Sequence, residues 1–306
     1  MEKIDLNKLL QGRQIKDTDE LNQILQAEMQ RLNDAPRPEF FGVTPNQMRF
    51  LLYDPFAEGS PFGFRDFDPA VLDSCPFFVL AEDMLRQTVL STNPFKLTVS
   101  TASLPVKTVK TLYEHLTLKD DWIEKGINHL YKETDCDQIH ICKIVLEQAG
   151  IVRKQKGKWH LTKKGQKLSQ PSQRAVLFRE IFHAFTLKYN WAYLDAYDHP
   201  QAGQMAFAFS LSMLAHFGGT ERPMVYYAKK YLEAYPMLVE EIPLVHWDNP
   251  ERHLVRCFIT RFFSRFAEWW GLAELAGPMD IFNEESCLVR KGKLLGEVFQ
   301  VADMEG

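Results

Sequence analysis

Helix-start and helix-stop signals recur along this chain, and they constrain its fold more than any other feature. Thr44-Pro45 and Asp68-Pro69 each place a capping residue before a proline that suits the first turn of a helix. Leu104-Pro105 begins another apolar segment, and glycines and prolines end most of the segments between these starts. We expect helices that include 120–133, 136–149, 174–197 and 250–270. The pattern therefore predicts a mainly α protein.

Composition bounds the protein class. The chain has 306 residues, enough for two or three domains, and 45% of them are hydrophobic. Its apolar runs stay below the ~20 residues that a bilayer span needs, so no membrane contact is expected. Five cysteines at scattered positions indicate free thiols in a reducing compartment. A cytoplasmic protein is the expectation.

Positive charge is concentrated in one segment. Residues 151–174 contain eight Lys or Arg and no acid, whereas the chain as a whole has a net charge of −4. The 36 basic residues less these eight leave 28 against 40 acidic residues, a net of −12 elsewhere. The surface formed by residues 151–174 would attract anions, whereas the rest of the protein surface would repel them.

The segment "GIVRKQKGKWHLTKKG", residues 150–165, predicts a helix exit, a two-stranded hairpin and a helix cap. Gly150 permits a left-handed exit, and Gly157 suits the hairpin tip. On the return strand Trp159 and Leu161 share one face, while Lys158 and His160 share the other. Packing of Trp159 in the core is expected in preference to stacking on a base, because burial of an indole is strongly favourable.

The longer stretch "LEQAGIVRKQKGKWHLTKKGQKL" resembles the winged-helix ending of regulators of the multiple-antibiotic-resistance and phenolic-acid types, over about residues 94–170. The resemblance implies that helix 136–149 enters the major groove and that the hairpin meets the backbone or the minor groove. The candidate nucleic-acid-binding residues are Arg153, Lys154, Lys156, Lys158, His160, Lys163, Lys164 and Lys167.

A second resemblance covers more of the chain. "FFGVTPNQMRFLLYDPF" and "KLTVSTASLPVKTVKTLYEHL", whose first residues suggest a short strand, resemble a family of uncharacterised bacterial proteins, some of them plasmid-borne. That family has no assigned activity, so the resemblance bears on architecture alone.

The candidate recognition helix departs from the pattern of such regulators. We expect it to expose Asp135, Asp137, Gln138, His140 and Glu147, with Lys143 as its positive side chain. Carboxylates repel phosphates, and base readout usually relies on Arg, Lys, Asn or Gln. The hairpin is therefore expected to bind phosphate with little sequence readout, and a merely solvated hairpin is an equally weighted alternative.

A degenerate second copy is expected near the C-terminus, in "FAEWWGLAELAGPMDIFNEESCLVRKGKLLGEVF". Its basic strand carries Arg290, Lys291 and Lys293, but its hairpin also contains Glu274, Asp280, Glu284 and Glu285, so a structural or protein-binding role is expected. Its predicted core is Phe262, Phe266, Trp269 and Leu272.

The predicted architecture is two winged-helix-like units with helical N-terminal and middle regions. The boundaries are a helical domain 1–92, a winged-helix-like domain 93–170 and a helical region 171–306 that ends in the second unit.

Two side-chain groups suggest chemistry and are interpreted otherwise. On a helix His140 and Cys142 lie about 200° apart, so with Cys136 they are not expected to bind one metal ion. Asp195, Asp198 and His199 are interpreted as a helix end. No catalytic residue, metal or other cofactor is predicted, and an enzyme is not expected.

Two functional hypotheses remain from the sequence. The favoured one is a regulatory or accessory protein that binds nucleic acid, double-stranded DNA for instance, through the basic residues 153–167. The alternative is a non-enzymatic scaffold whose winged-helix-like units bind another protein. The sequence gives no prediction of the oligomeric state.

Overall fold

Helices dominate the structure, a computed structural model that describes residues 9–11, 15–90, 96–195, 197, 199, 201–240, 249–277 and 285–305. The helices are α1 (Thr18–Asp34), α2 (Pro45–Tyr53), α3 (Pro76–Leu90), α4 (Val106–His115), α5 (Asp121–Glu124), α6 (Asp137–Gln148), α7 (Lys163–Leu168), α8 (Arg174–His183), α9 (Phe207–Phe217), α10 (Met224–Ala234), α11 (Met237–Glu240), α12 (Pro250–Phe258) and α13 (Lys293–Val298). The mainly α prediction is confirmed. Among the described residues, no helix combines the length and the apolar character needed to cross a bilayer.

The strands of the described residues form three small antiparallel sheets. Their bounds are β1 (Gly63–Phe64), β2 (Val152–Gln155), β3 (Lys158–Leu161), β4 (Arg222–Pro223), β5 (Ala273–Ala276), β6 (Leu288–Lys291) and β7 (Phe299–Gln300). β1 pairs with β7, β2 with β3, and β6 lies between β4 and β5. The β1–β7 pair joins the N-terminal region to the C-terminal end.

Local capping chemistry explains why α2 begins where it does. The Thr44 hydroxyl accepts a hydrogen bond from the Gln47 backbone N–H at 3.2 Å, and the Gln47 side-chain oxygen accepts one from the Thr44 N–H at 3.0 Å. This reciprocal pair satisfies two N–H groups that the first helical turn leaves unbonded. Pro45 occupies the first turn, as the sequence predicted.

Two predicted helices are shorter than expected. The helix predicted over 120–133 is reduced to α5, which Asp120 caps, and the chain turns away through Gly126 at φ +70°. The helix predicted over 174–197 ends at Lys188, through one π-helical segment, Ala184–Lys188. The chain from Tyr189 to Ala206 has no regular helix among its described residues.

The core contains a dense aromatic cluster around Trp270, which is fully buried. Its ring centroid lies 4.8 Å from that of Phe182, 5.1 Å from Phe77 and 5.4 Å from Phe185. The four residues predicted as the core of the second copy are all buried: Phe262, Phe266, Trp269 and Leu272. Buried apolar residues from all three predicted domains belong to one continuous cluster.

Arg261 is buried within this core, which the sequence did not predict. Its guanidinium donates to both carboxylate oxygens of Asp195, at 2.6 and 2.9 Å. It also donates to the backbone carbonyls of His199, Ala202 and Tyr197, at 2.6, 2.9 and 3.3 Å. These five contacts match the five N–H donors of a guanidinium. Arg261 therefore holds the non-helical segment that contains Asp195 and Ala202 against the helix formed by residues 250–267.

Arg261 is 0% exposed, because the segment that contains Asp195 and Ala202 packs over it. At this point α12 continues as the π-helix Ile259–Ala267, in which hydrogen bonds run from residue i to i−5. This wider turn rotates the following side chains away from the positions that α-helical spacing predicts.

We expect Arg261→Met to lower the free energy of unfolding by about 3–5 kcal/mol, because it leaves the Asp195 charge buried and three carbonyls unpaired. The matched control is Arg265→Met on the same helix. Arg265 pairs with Asp137 at 2.7 Å, but that carboxylate is 37% exposed, so we expect a loss of about 1 kcal/mol or less. Chemical denaturation of both variants measures the difference. Equal small losses would contradict the role given to Arg261.

Glu268, which follows the π-helix Ile259–Ala267, has an unusual pKa. Burial, together with the negative charge of Asp121, raises its pKa to about 7. The folded protein therefore favours the protonated carboxyl, and its stability falls as the pH rises from the ordinary glutamate pKa through 7.

Glu268→Gln removes this titration. We expect the variant to match the parent protein near pH 5 and to exceed it at pH 8 by about 2 kcal/mol in unfolding free energy. Thermal unfolding at the two pH values checks this, with the exposed Glu58→Gln as the control that leaves the pH dependence unchanged. A variant less stable than the parent at pH 8 would show that the Glu268 carboxylate has a partner.

Candidate nucleic-acid interface

The predicted hairpin forms, and its backbone follows from the sequence. Strands β2 and β3 pair with Arg153 opposite His160 and Gln155 opposite Lys158. The two residues between the strands, Lys156 and Gly157, have φ of 51° and 69°. Positive φ at both central residues is the geometry of a two-residue type I′ turn, whose twist matches that of the strands. We call residues 150–165 the basic hairpin.

A third strand-like segment lies beside β3. Lys96 forms an antiparallel bridge with Lys158, and the Leu97 N–H donates to the Gly157 carbonyl at 2.9 Å. The sequence suggested a short strand at "KLTVS" but did not place Lys96 in the site. Directly opposed residues of an antiparallel pair share a face, so Lys96 and Lys158 lie on the same side.

One face of the basic hairpin packs on the core. Trp159 is 0% exposed, and its indole N–H donates to the Glu147 carboxylate at 3.0 Å. Val152 on the partner strand is also buried. The prediction that Trp159 packs in the core is confirmed, and its ring is not accessible to a base.

The opposite face carries the cations. By the strand register Arg153, Lys158 and His160 lie on it together with Lys96, and Lys156 occupies the tip. Arg153 and Lys156 are exposed, and Lys158 and His160 are partly exposed. Within the described part of the chain, no carboxylate forms an ion pair with any of these five side chains. We call this set the outer face.

Two of the lysines predicted for the site, Lys154 and Lys164, lie outside the outer face and form ion pairs with acids. Lys154 alternates onto the core side and forms an ion pair with Glu147 at 3.3 Å. Lys164 binds Glu180 at 2.6 Å and donates to the Ala149 carbonyl at 2.9 Å, at the C-terminal end of α6. Their charges are partly neutralised, so these two residues contribute less to an anion-binding surface than the sequence suggested.

The remaining predicted lysines, Lys163 and Lys167, lie on α7. Lys163 and Lys167 are exposed and one helical turn apart, so they project from the same side of that helix. The Thr162 hydroxyl caps α7 by accepting from the Gly165 N–H at 3.0 Å. Arg174, the last base of the segment, instead binds Glu82 with two hydrogen bonds and lies outside this surface.

The predicted exposure of the candidate recognition helix is wrong at Gln138 and Lys143, which are buried. The other residues predicted to be exposed are only partly exposed: Asp135, Asp137, His140 and Glu147. In α6, Gln138 is 7% exposed, Lys143 is 4% exposed and the His140 side chain is 12% exposed. The helix packs against α3, α4 and the π-helix Ala184–Lys188, which cover its sides. Asp137, at its first turn, is held by Arg265. The partly exposed side chains of Asp137, His140 and Glu147 are bound by Arg265, Glu133 and Lys154, so none of these three is free to read bases.

A buried ionic cluster holds α6 in place. Lys143 donates to both oxygens of Glu133, at 3.0 and 2.9 Å, and to the Ala102 carbonyl at 2.8 Å. The Glu133 carboxylate also bonds His140 Nδ1 at 2.6 Å and the Leu104 N–H. Burial alone would raise the pKa of Glu133, but the hydrogen bonds from His140, Leu104 and Lys143 outweigh it and hold that pKa below its ordinary value.

The residues considered for metal binding have other roles. Cys142 is fully buried, and burial raises the pKa of the Cys136 thiol to about 11, so neither is a ready thiolate ligand. Within the described residues, no group of three or more His, Cys, Asp or Glu side chains is placed to hold an ion. Asp195 and His199 bind Arg261, and Asp198 lies outside the described residues.

The segment predicted as a second copy has the same order of elements as the first, a helix, two paired strands and a short helix. Its helix exits through Gly271 at φ +65°, where the first copy exits through Gly150 at φ +68°, and β6 pairs with both β5 and β4. Its charges are engaged differently: Arg290 binds Glu274 at 2.7 Å, and Lys293 binds Glu297 at 3.2 Å. Glu285 is exposed, and Asp280 and Glu284 lie outside the described residues.

Comparison of the chain with protein-family models, with curated proteins and with solved structures finds no match.

We expect Glu133→Gln to lower the unfolding free energy at pH 7 by about 3 kcal/mol, because Lys143 then keeps a buried charge without its counter-charge. A depressed carboxyl pKa stabilises the fold above the unfolded pKa, and this stabilisation is lost as the pH falls through the folded pKa. The deficit should therefore shrink in denaturant titrations below about pH 4. Adding Lys143→Met should recover part of the loss, and a double variant worse than Glu133→Gln would contradict this account.

Proposed function

We propose that the basic hairpin binds the phosphate backbone of duplex nucleic acid, in a regulatory or accessory role. The observation that carries the proposal is the outer face, where Arg153, Lys156, Lys158 and Lys96 have no carboxylate partner among the described residues. The chain as a whole has a net charge of −4. Unpaired cations on an acidic protein attract a polyanion to one place on its surface.

The order of elements supports treating residues 94–170 as a winged-helix-like unit. The strand-like segment at Lys96 precedes α4, α5 and α6, and the hairpin β2–β3 follows and pairs with that segment. In such a unit the hairpin is the wing. The proposal assigns nucleic-acid contact to the wing alone, because Lys143 of α6 is buried and the partly exposed Asp137 and Glu147 would repel phosphate.

Backbone contact without base readout follows from the same geometry. Sequence is read by side chains that reach base edges, usually from a helix in the major groove, and the one basic side chain of α6, Lys143, is buried. Proteins that bind single strands stack bases on exposed aromatic rings, whereas the aromatic ring of the β2–β3 hairpin, Trp159, is buried. The surface therefore favours a duplex and distinguishes little among sequences.

A second candidate function, docking of a protein, is favoured by one observation. Trp122, Ile127 and Tyr131 are 58%, 57% and 73% exposed within ten residues of chain. Exposed aromatic side chains are enriched at protein interfaces. In this alternative the basic hairpin is a solvated surface.

The two candidates differ in their response to salt. We expect the triple variant Arg153→Gln, Lys156→Gln, Lys158→Gln to flatten the slope of log affinity against log salt by about 2 to 3 units, since each phosphate contact contributes about 0.9. Affinity should fall alike for unrelated duplex sequences. The measurement is a set of binding isotherms with mixed-sequence duplex DNA at several salt concentrations.

The matched control is the double variant Lys154→Gln, Lys164→Gln, which removes two lysines of the same segment that already bind acids. We expect it to change the slope by less than about one unit. A parent protein without measurable duplex affinity at moderate salt would reject the proposal in favour of protein docking. An affinity that survives the triple variant would place the contact elsewhere on the surface.

A further inference from the structure

A cavity of about 520 Å³ lies between α3 and the chain that joins α7 to α8. This volume is within the range of small-molecule sites, about 300–1,000 Å³. One wall is a single stripe of α3, in which Val79, Glu82, Asp83 and Arg86 recur at helical spacing. We call this space the α3–α8 cleft, and the outer face of the hairpin contributes no residue to its lining.

Most of the lining is apolar. Leu85, Leu168 and Leu177 are nearly fully buried, and Val79 and Pro171 complete the hydrophobic surface. These side chains come from α3 and, more than 70 residues later in the chain, from the end of α7 and from α8. Burial of an apolar molecule against such a surface is the main source of affinity in small-ligand sites.

Ion pairs fix the two ends of the α3 stripe. Near its start, Arg174 of α8 bonds Glu82 at 2.7 and 2.8 Å, Asp73 at 2.7 Å and the Pro69 carbonyl at 2.7 Å. These bonds hold α8 to α3 and to the turn before α3. The cleft is therefore pre-formed, which lowers the entropic cost of binding.

The other end of the stripe is fixed in the same way. The Asp83 carboxylate accepts hydrogen bonds from Arg86 at 2.6 Å, Gln87 at 2.9 Å and His115 at 2.9 Å. His115 belongs to α4, so this group joins α3 to the unit that carries the basic hairpin. Asp83 itself is buried.

The charges that line the cleft balance one another. Glu82 is paired with Arg174 and Asp83 with Arg86, so the two acids and two bases of the lining form internal pairs. A charged ligand entering the cleft would lose hydration without meeting an unpaired counter-charge. An uncharged ligand loses much less, and its polar group can bond the Gln170 side chain or remain at the open side.

We infer that the α3–α8 cleft binds a small, uncharged, largely apolar molecule, such as an aryl or alkyl alcohol. This site is separate from the proposed nucleic-acid surface, so either assignment can fail without the other.

The test uses three fluorinated probes of nearly equal size and different charge: 4-fluorobenzyl alcohol, 4-fluorobenzoate and 4-fluorobenzylamine. Fluorine NMR line broadening and shift, titrated against the full-length protein, gives a dissociation constant for each. We expect the neutral alcohol to bind with a dissociation constant of about 1 mM, and both ions to bind at least about tenfold more weakly.

Two matched substitutions locate the binding. Val79→Phe fills the cleft from its α3 wall, whereas Val176→Phe adds the same atoms at a 41% exposed position of α8 outside the lining. We expect Val79→Phe to weaken binding of the alcohol at least about tenfold and Val176→Phe to leave it unchanged. If Val79→Phe fails to fold by circular dichroism, Gln170→Trp blocks the cleft from an exposed position, with Gln166→Trp as its control.

Three results would overturn the inference. The first is no saturable binding of the alcohol to the folded parent protein. The second is equal or tighter binding of either ion. The third is binding that survives a folded blocking variant, which would place the probe at another site.

Discussion

The burial of Lys143 in α6 is the constraint on which the functional argument depends. Lys143 and His140 both bind the Glu133 carboxylate inside the protein, so α6 exposes no Lys or Arg side chain to a DNA groove. Breaking that cluster leaves a buried charge without its partner, which costs several kcal/mol, so α6 does not leave its site readily. What remains accessible is the hairpin that follows α6. The proposed contact with nucleic acid is therefore made by a wing without a recognition helix.

Two segments with the same order of elements carry different side chains on their surfaces. In each, a helix exits through a left-handed glycine, Gly150 or Gly271, into an antiparallel hairpin and a short helix. The backbone requires the glycine and the apolar residues on the inner face, and it leaves the outer residues free to vary. The first copy has unpaired cations there, whereas in the second Arg290 is bound by Glu274. The strands of the second segment also contribute Ala273 and Val289 to the core.

The sequence alone was sufficient for features that depend on neighbouring residues. Helix caps such as Thr44, the hairpin turn at Gly157 and the alternation that buries Trp159 are set by local hydrogen bonding, allowed φ and strand geometry. These rules gave the mainly α class and the position of the basic hairpin. They also located most of the cations of the outer face, because a run of lysines without acids is visible in the sequence.

Tertiary structure decided which of those residues are available. Lys154 forms an ion pair with Glu147, and Lys164 forms one with Glu180. Lys96 lies on the outer face because it pairs with Lys158, more than fifty residues later in the chain. The burial of Arg261 likewise depends on its bonds to Asp195, 66 residues earlier in the chain. Periodicity describes one segment at a time, so it carries no information about the partner that a distant segment supplies. The sequence determined the local elements and the charge they carry, and packing determined which charges remain unpaired.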